Sequence, residues 1–251
     1  MNRIKLIIVL TAATLSLVAC KPAKQVVDTS CPGYRNVDFN RSQISDGGLA
    51  VMPVLGGIDK EQYRRPVGDA ITSELRREFG DSIILSPSQV GYALNEDKLS
   101  TEYNQAISGY QTSGIVPKEI ISKVGQSLNT RYILTTKLLS DYESNAFYDA
   151  STGLSVNIEV VELYVFCQVW DTKLSDVVWE GKGGAAKLEY NESDLVELTA
   201  KGITSVIGNK AGEGPCEKPT DIVEAVMEAT TNGYIAGAAV GLIVLLGLSA
   251  I

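Results

Sequence analysis

Cysteines and carboxylates are the side chains of this chain that could carry out chemistry, because its 251 residues include no histidine. The absence of histidine excludes a Ser-His-Asp or Cys-His nucleophile and any metal site built on histidine. The four cysteines are Cys20, Cys31, Cys167 and Cys216. Their local sequences predict three different chemistries, with Cys31 and Cys216 sharing one of them.

Cys20 closes a stretch that is typical of an export signal. Lys5 gives a basic start, an apolar run follows, and Ala19 is the small residue before the cut. A cysteine directly after that residue, in the segment LVAC at 17–20, resembles the lipobox of bacterial lipoproteins. The resemblance implies that residues 1–19 are removed, that Cys20 receives a diacylglyceryl thioether, and that its new amine is acylated. The alternative is an ordinary signal peptide followed by an unmodified cysteine.

The other cysteines are interpreted from the compartment that export implies, where disulfides persist. Cys31 and Cys216 lie in segments with proline and glycine at the two ends of the predicted globular region. Because the ends of a domain often lie close together, the two form a candidate disulfide, with two unpaired thiols as the alternative. Cys167 stands within an apolar strand pattern and is predicted to be a buried free thiol.

The charge of the chain is acidic, with a formal value of −8 that becomes −10 when Arg3 and Lys5 leave with the signal peptide. Nucleic-acid binding needs a basic patch that neutralises phosphates, so we predict no nucleic-acid partner. Carboxylates at 59–61 and 141–143 could support acid–base catalysis, but in an acidic chain such clusters favour a solvated surface. We therefore predict no enzyme, no metal and no cofactor.

Two further groups could suggest a binding site. Gly181, Gly183 and Gly184 lie close together, but no G-x-x-x-x-G-K-[ST] phosphate loop occurs. Trp170 and Trp179 flank a predicted hairpin turn and are interpreted as core or cross-strand aromatics. The alternative is that they anchor a partner, since aromatic residues are favoured at interfaces.

An ordered domain over residues 49–208 must position these groups. The apolar run at 49–55 predicts a buried strand. Pro66 is predicted to open a helix that ends at Gly80, a residue suited to the C-terminal cap. Residues 82–90 are predicted to form the next strand.

The second half of the domain is predicted from the same signals. Residues 92–111 are expected to be helical in part, and Pro117 opens a helix with Ile120, Val124 and Leu128 on one face. The remaining predicted elements are a strand at 131–139, a hairpin tip or insertion at 140–153, a strand at 154–170, a turn over 171–175, a strand from 177 and a helix over 192–207. Strands separated by helices favour parallel pairing, and consecutive strands favour a hairpin. We therefore predict an α/β sandwich with a mixed sheet and helices packed on it, plus a C-terminal apolar helix.

The flanking segments have their own predictions. Residues 20–48 are expected to be a lipidated tether with little regular structure, and 209–232 a linker. Residues 233–251 carry no charge, and as a helix they would extend about 28 Å, close to a hydrocarbon core of about 30 Å. Gly233, Gly237 and Gly241 form two overlapping G-x-x-x-G steps, which allow helices to approach closely. The alternative is a tail that packs on its own domain or on a partner.

Three segments together resemble a known group of domains. They are LAVMPV at 49–54, PKEII at 117–121 leading to TRYILT at 130–135, and QVWDTK at 168–173 with VWEG at 178–181. This pattern is similar to the periplasmic α/β domain of envelope lipoproteins such as the curli-secretion channel subunit, a Pel-polysaccharide export lipoprotein and the N-terminal domain of the Tol-system propeller protein. The resemblance implies a structural strand-Asp-turn-strand hairpin and a domain that mediates assembly. The apolar tail has no counterpart in that group.

Two classes of function follow from the sequence. The first is a non-enzymatic bacterial envelope lipoprotein that forms a homo-oligomeric subunit of a secretion, export or surface-appendage assembly, with other envelope proteins as partners. The second is a monomeric periplasmic binding module for a protein partner or a cell-wall polymer. Lys21 after the lipid cysteine favours the outer membrane facing the periplasm, whereas a membrane-embedded tail is compatible with the inner membrane.

Overall fold

The structure is a computed structural model that describes residues 26–28, 30–56, 61–113, 116–149, 155–188 and 192–210. The chain divides into two compact units, one of residues 1–27 with 219–251 and one of residues 28–218. The second unit contains the predicted domain and is described here. The strands are β1 (Val26–Asp28), β2 (Cys31–Arg35), β3 (Leu49–Val51), β4 (Ile84–Leu85), β5 (Tyr132–Asp149), β6 (Ser155–Asp171) and β7 (Asp176–Leu188). The helices are α1 (Ser42–Gly47), α2 (Glu61–Phe79), α3 (Pro87–Glu96), α4 (Ser100–Ser113), α5 (Lys118–Ser127) and α6 (Glu192–Val206).

The sheet is mixed, as predicted. Its strand order is β7-β6-β5-β3-β4, and β2 pairs with the other edge of β7. The strand β3 runs parallel to β4 and to β5, whereas β5, β6, β7 and β2 pair antiparallel in succession. The parallel part is joined through helices and the antiparallel part through turns, which is the division that the order of elements predicted.

Helices cover both faces of the parallel part of the sheet. Leu49 and Val51 of β3 face a core shared with α1, α2 and α6, and Ala50 faces a second core shared with α3, α4 and α5. Successive strand residues point to opposite faces, so a strand buried on both sides needs a continuous apolar run. This burial explains the run at 49–55 and confirms the predicted sandwich.

Helix α2 begins earlier than predicted. Its helical residues start at Glu61, so the expectation that Pro66 opens the helix is wrong and Pro66 lies inside it. Tyr63 is buried in the first core and stands four residues before Val67, which is also buried. The apolar face of the helix therefore extends one turn further towards the N-terminus. The free energy gained by burying it offsets the loss of the backbone hydrogen bond that proline cannot make. The predicted end is confirmed, since Gly80 has a φ of 100° and its N–H donates to the Arg76 carbonyl over 2.8 Å.

The strand predicted over 82–90 is wrong for most of its length. Only Ile84–Leu85 is strand, and α3 begins at Pro87. Ser86 and Gln89 form a capping box: the Gln89 N–H donates to Ser86 Oγ over 3.4 Å, and the Ser86 N–H donates to Gln89 Oε1 over 2.9 Å. Serine, then proline at the first helical position, then glutamine is a helix start signal.

The prediction of little regular structure over 21–47 is also wrong where the structure describes that segment. It contains β2 and α1, and Phe39 and Ile44 are buried in the first core. Arg35 donates from Nη1 to the Gly208 carbonyl over 3.1 Å, beyond the end of α6. Residues counted as a tether therefore complete the domain and hold its last helix.

The late strands form a long hairpin. The strands β5 and β6 pair continuously from Tyr132 opposite Asp171 to Asp149 opposite Ser155, apart from a bulge after Leu138. The pairing confirms the hairpin, but β5 continues to Asp149, so residues 140–149, which were predicted as tip or insertion, are strand. The tip itself lies outside the described residues. The predicted turn after β6 is also confirmed, because β6 ends at Asp171 and β7 begins at Asp176.

The three glycines of β7 make room for larger side chains. A Cβ on Gly181 would lie 2.7 Å from the Trp179 ring, one on Gly183 would lie 2.9 Å from Ile203, and one on Gly184 would lie 2.4 Å from the Tyr164 ring. Atoms cannot approach that closely without displacement. Glycine at these positions therefore serves packing, in agreement with the absence of a phosphate-loop motif.

Candidate interaction surface

The residues that the sequence singled out for membrane attachment lie outside the described parts of the chain. These are Cys20 for the lipid and Gly233, Gly237 and Gly241 for helix association, and Cys216, the candidate disulfide partner of Cys31, also lies outside them. Their predicted roles stay predictions. Within the segments that the structure describes, no helix is long and apolar enough to cross a membrane.

Two of the cysteines are placed by the structure. Cys31, the first residue of β2, takes part in a disulfide whose partner lies outside the described residues. Cys167 is free and fully buried, as predicted for a thiol in an apolar strand. Burial raises the pKa of Cys167 to about 12 from an ordinary value of 9.0, although a contact with Thr136 opposes that shift. Cys167 is therefore a protonated core residue.

The predicted Asp turn is built around Asp171, whose side chain is almost fully buried. One carboxylate oxygen, Oδ1, accepts from the N–H groups of Lys173 over 2.9 Å and Leu174 over 3.3 Å. These two bonds form an Asx-type turn that reverses the chain between β6 and β7. The other oxygen faces Arg131 at the start of β5.

Arg131 pairs with this carboxylate across the hairpin. Its Nε and Nη2 lie 3.0 Å and 2.9 Å from Asp171 Oδ2, and its guanidinium lies 5.1 Å from the Tyr132 ring centroid. The hydrogen bond to Asp171 raises the pKa of Arg131 because it stabilises the charged form. The pair therefore joins β5 to the β6–β7 turn.

A second contact fixes the same turn against α5. Thr172 donates from its backbone N–H to the Arg131 carbonyl over 2.8 Å and from Oγ1 to the Thr130 carbonyl over 3.1 Å. Gly125 lies under Thr172 so closely that an added Cβ would stand 2.3 Å from Thr172 Cβ. The turn is thus held by an ion pair on one side and by close packing on the other.

This end of the sheet carries a polar cleft of about 670 Å³. Asp46, Arg131, Thr172 and Lys173 are among the residues that line it. Arg131 and Thr172 are already engaged in holding the turn, so the cleft is explained by structural contacts. Elsewhere in the described ranges, no group of three or more acidic or cysteine side chains is placed to hold a metal ion.

The carboxylate cluster at 59–61 is described in part. Glu61 pairs with Arg64 over 3.0 Å, and both lie at the start of α2. Arg64 also donates from Nε to the Val54 carbonyl over 2.7 Å. These contacts give the cluster a structural role, as predicted for a charged face. Residue 59 and the side chains of the cluster at 141–143 lie outside the described residues.

The two tryptophans are buried on opposite faces of the sheet, which confirms their interpretation as core residues. Trp179 is fully buried in the first core. Trp170 lies in the second, packs edge-on against Tyr110 with ring centroids 6.0 Å apart, and donates to Thr135 Oγ1 over 3.3 Å. Neither ring is positioned to anchor a partner.

A polar row marks the boundary of the second core. Thr135, Gln168 and Glu180 lie opposite one another on β5, β6 and β7. Tyr110 of α4 donates to Gln168 Oε1 over 2.7 Å, and Gln168 Nε2 donates to Glu180 Oε2 over 3.3 Å. On one side of this row, Ile133 and Trp170 are buried beneath the helices.

On the other side of the row, the sheet is more exposed. The next register places Lys137, Phe166 and Lys182 side by side on adjacent strands. Both lysines are exposed, Phe166 is half-buried, and the exposed fraction of Leu139 is 43%. Tyr34 of β2, with an exposed fraction of 44%, pairs with Glu180 and so lies at the end of the polar row. We call Tyr34, Lys137, Leu139, Phe166 and Lys182 the open face. The sequence does not predict this face, because its residues become neighbours only when three strands are in register.

Comparisons with known proteins provide several distant structural likenesses. No protein-family model and no curated protein matches the chain. Among solved structures, the chain is similar to a PelC dodecamer from Paraburkholderia phytofirmans, with a TM-score of 0.40 and 14% identity over 73% of this chain and 96% of that one. It is also similar to lipoprotein GNA1162 from Neisseria meningitidis, with a TM-score of 0.38 and 13% identity over 65% of this chain and 99% of that one. The LpoB C-terminal domain from Salmonella enterica gives a TM-score of 0.33 and 12% identity over 55% of this chain and 81% of that one.

Proposed function

We propose that this chain is a non-enzymatic lipoprotein of the bacterial envelope whose periplasmic α/β domain assembles into a homo-oligomer, as a subunit of a secretion, export or surface-appendage assembly. The observation that carries the proposal is the open face. It presents aromatic and aliphatic side chains to solvent, whereas the buried carboxylate of Asp171 is engaged in a structural contact with Arg131. Exposed apolar surface with a polar surround is typical of protein interaction sites.

The sequence supports the proposed attachment to a membrane and the proposed localisation. Cys20 would carry the lipid that anchors the mature chain, and Lys21 favours the outer membrane facing the periplasm. One acyl chain anchors weakly and two or more anchor stably, so a triacylated Cys20 would hold the domain at a bilayer. Mass spectrometry of the mature N-terminus tests this directly. An unmodified N-terminus at another residue would contradict the assignment, and Cys20→Ser should leave an unprocessed precursor without lipid.

The tail offers a second contact between copies. Helices in lipid gain little from burying apolar surface, so small residues such as Gly233, Gly237 and Gly241 favour association by allowing close packing. If 233–251 associates in this way, Gly237→Leu would separate the helices and leave the segment apolar. An unchanged oligomer would instead mean that the tail packs on its own domain or only adds an anchor.

The deciding experiment is the mass of the lipidated, full-length protein in detergent, measured by light scattering after size-exclusion chromatography. Wild type should give one defined oligomer. Gly237→Leu and deletion of 233–251 should reduce its size while the domain stays folded by circular dichroism. A monomeric wild type would overturn the proposed assembly and support the monomeric binding module.

A further inference from the structure

The centre of the open face is a row of three side chains in which two lysines flank a phenylalanine. Lys137 and Lys182 lie directly on either side of Phe166, on the strands that flank it. Neighbouring strands are about 4.8 Å apart, so the lysine backbones are separated by roughly 10 Å with an aromatic ring between them. The row is therefore two positive charges around an apolar centre.

The two lysine side chains form no ion pair within the described part of the chain, whereas Lys123 pairs with Glu102 over 2.8 Å and Arg131 pairs with Asp171. Glu180, in the neighbouring row, lies two residues from Lys182 on β7, and its Oε2 accepts a hydrogen bond from Gln168 rather than from a lysine. The row therefore presents two lysines without an ion-pair partner, on a chain whose formal charge is −8.

A groove of about 250 Å³ lies beside this row on the open face. Its lining includes Leu55, Tyr110, Lys137, Leu139 and Phe166. Aromatic and aliphatic anchors seated in a pocket and surrounded by charge are the usual centre of a protein interface. An apolar side chain of a partner could enter the groove while carboxylates of the same partner meet the lysines.

We propose that the open face docks an acidic surface of a second copy of this chain, in a head-to-tail arrangement. This inference rests on the oligomer proposed above and names its interface. Two copies packed face to face about a twofold axis would bring the two lysine rows together, and like charges at close range are unfavourable. The chain as a whole is acidic, so acidic surface elsewhere on a second copy is complementary in charge to the two lysines. A contact that joins two different surfaces of identical copies repeats from copy to copy and gives a ring or a filament.

Crosslinking of mixed isotopes tests the proposal. Full-length lipidated protein labelled with ¹⁵N is mixed with unlabelled protein, dissociated and reassembled in detergent, and treated with a carbodiimide that joins amines to carboxylates. Lys137 or Lys182 should appear in peptides that join a labelled and an unlabelled copy. The double variant Lys137→Glu with Lys182→Glu should weaken association at least about tenfold, because it replaces attraction with repulsion at the contact.

Lys201→Glu is the matched control. Lys201 is exposed on α6, whose buried side chains pack on the other face of the sheet, and its reversal makes the same change in net charge per residue. The proposal is supported if the double variant loses the oligomer and Lys201→Glu keeps it. Both variants should retain the circular dichroism spectrum of the wild type. An oligomer whose Lys137 and Lys182 crosslinks join only residues of one copy would mean that the chain covers this face itself. That result would overturn the interface but leave the proposed oligomer in place, whereas a monomeric wild type would overturn both.

Discussion

The guanidinium of Arg131, the residue before β5, and the carboxylate of Asp171, the last residue of β6, face each other at one end of the β5–β6 hairpin, with two nitrogen–oxygen distances of 2.9 and 3.0 Å. Asp171 is buried and Arg131 is partly exposed, so the pair closes the end of the sheet against solvent. The same carboxylate accepts two backbone N–H groups of the following turn. One aspartate therefore joins strand, turn and neighbouring strand.

Asp171→Ala should lower the free energy of unfolding by about 1 to 3 kcal/mol, since it removes a charged hydrogen-bond acceptor and leaves Arg131 without its partner. The lower part of that range applies if solvent around Arg131 screens the lost interaction. Urea unfolding followed by circular dichroism measures the change. Asp69→Ala is the control because Asp69 is exposed on α2, and equal midpoints for the two variants would contradict a structural role for Asp171.

Gly125→Ala and Gly91→Ala should change stability in opposite directions. A Cβ on Gly125 would overlap Thr172, and overpacking of this kind costs about 1 to 3 kcal/mol. A Cβ on Gly91 of α3 would meet nothing within 4 Å, so alanine should stabilise its helix by about 0.5 to 1 kcal/mol. Thermal melts of both variants against wild type are the measurement. A stabilising Gly125→Ala would show that the turn does not pack on α5 as described.

Cys167 makes folding sensitive to alkaline pH. Its pKa is about 12 in the folded chain against an ordinary 9.0, so between these values the unfolded chain has lost a proton that the folded chain retains. The unfolded state then binds fewer protons, and stability falls as pH rises above about 9. Cys167→Ala should show a shallower loss of unfolding free energy over pH 8 to 10.5 than wild type. Rapid alkylation of Cys167 by iodoacetamide at pH 8 in the native protein would contradict its burial.

The disulfide of Cys31 is expected to join Cys216. Arg35 of the same strand binds the Gly208 carbonyl, so the chain passes close to β2 as it leaves α6. From Lys210, the six further residues to Cys216 can extend about 20 Å. Peptide mapping without reduction should find the Cys31–Cys216 pair, and Cys216→Ser should cost about 2 to 5 kcal/mol of stability. A Cys31–Cys20 peptide would contradict both this pairing and lipidation of Cys20.

The sequence alone determined much of the fold, because local signals with one physical meaning survive in the final structure. The apolar run at 49–55 predicts a buried strand, which the structure has at Leu49–Val51, and Leu163, Val165, Cys167 and Val169 are buried on one face of β6. Gly80 and Pro117 mark real helix boundaries. The Asp turn was also predicted, since aspartate binding its own following backbone is a local interaction. The lipid signal at Cys20 is likewise local and depends on no fold.

Tertiary structure decided the features that depend on residues distant in the chain. Pro66 is typical of a helix start, but the burial of Tyr63 in the core extends the helix towards the N-terminus past it. The strand predicted over 82–90 is wrong for a local reason instead, since Ser86, Pro87 and Gln89 are a helix start signal. The open face is the clearest case. Lys137, Phe166 and Lys182 become neighbours only through the register of three strands, and that register is set by packing across the whole sheet.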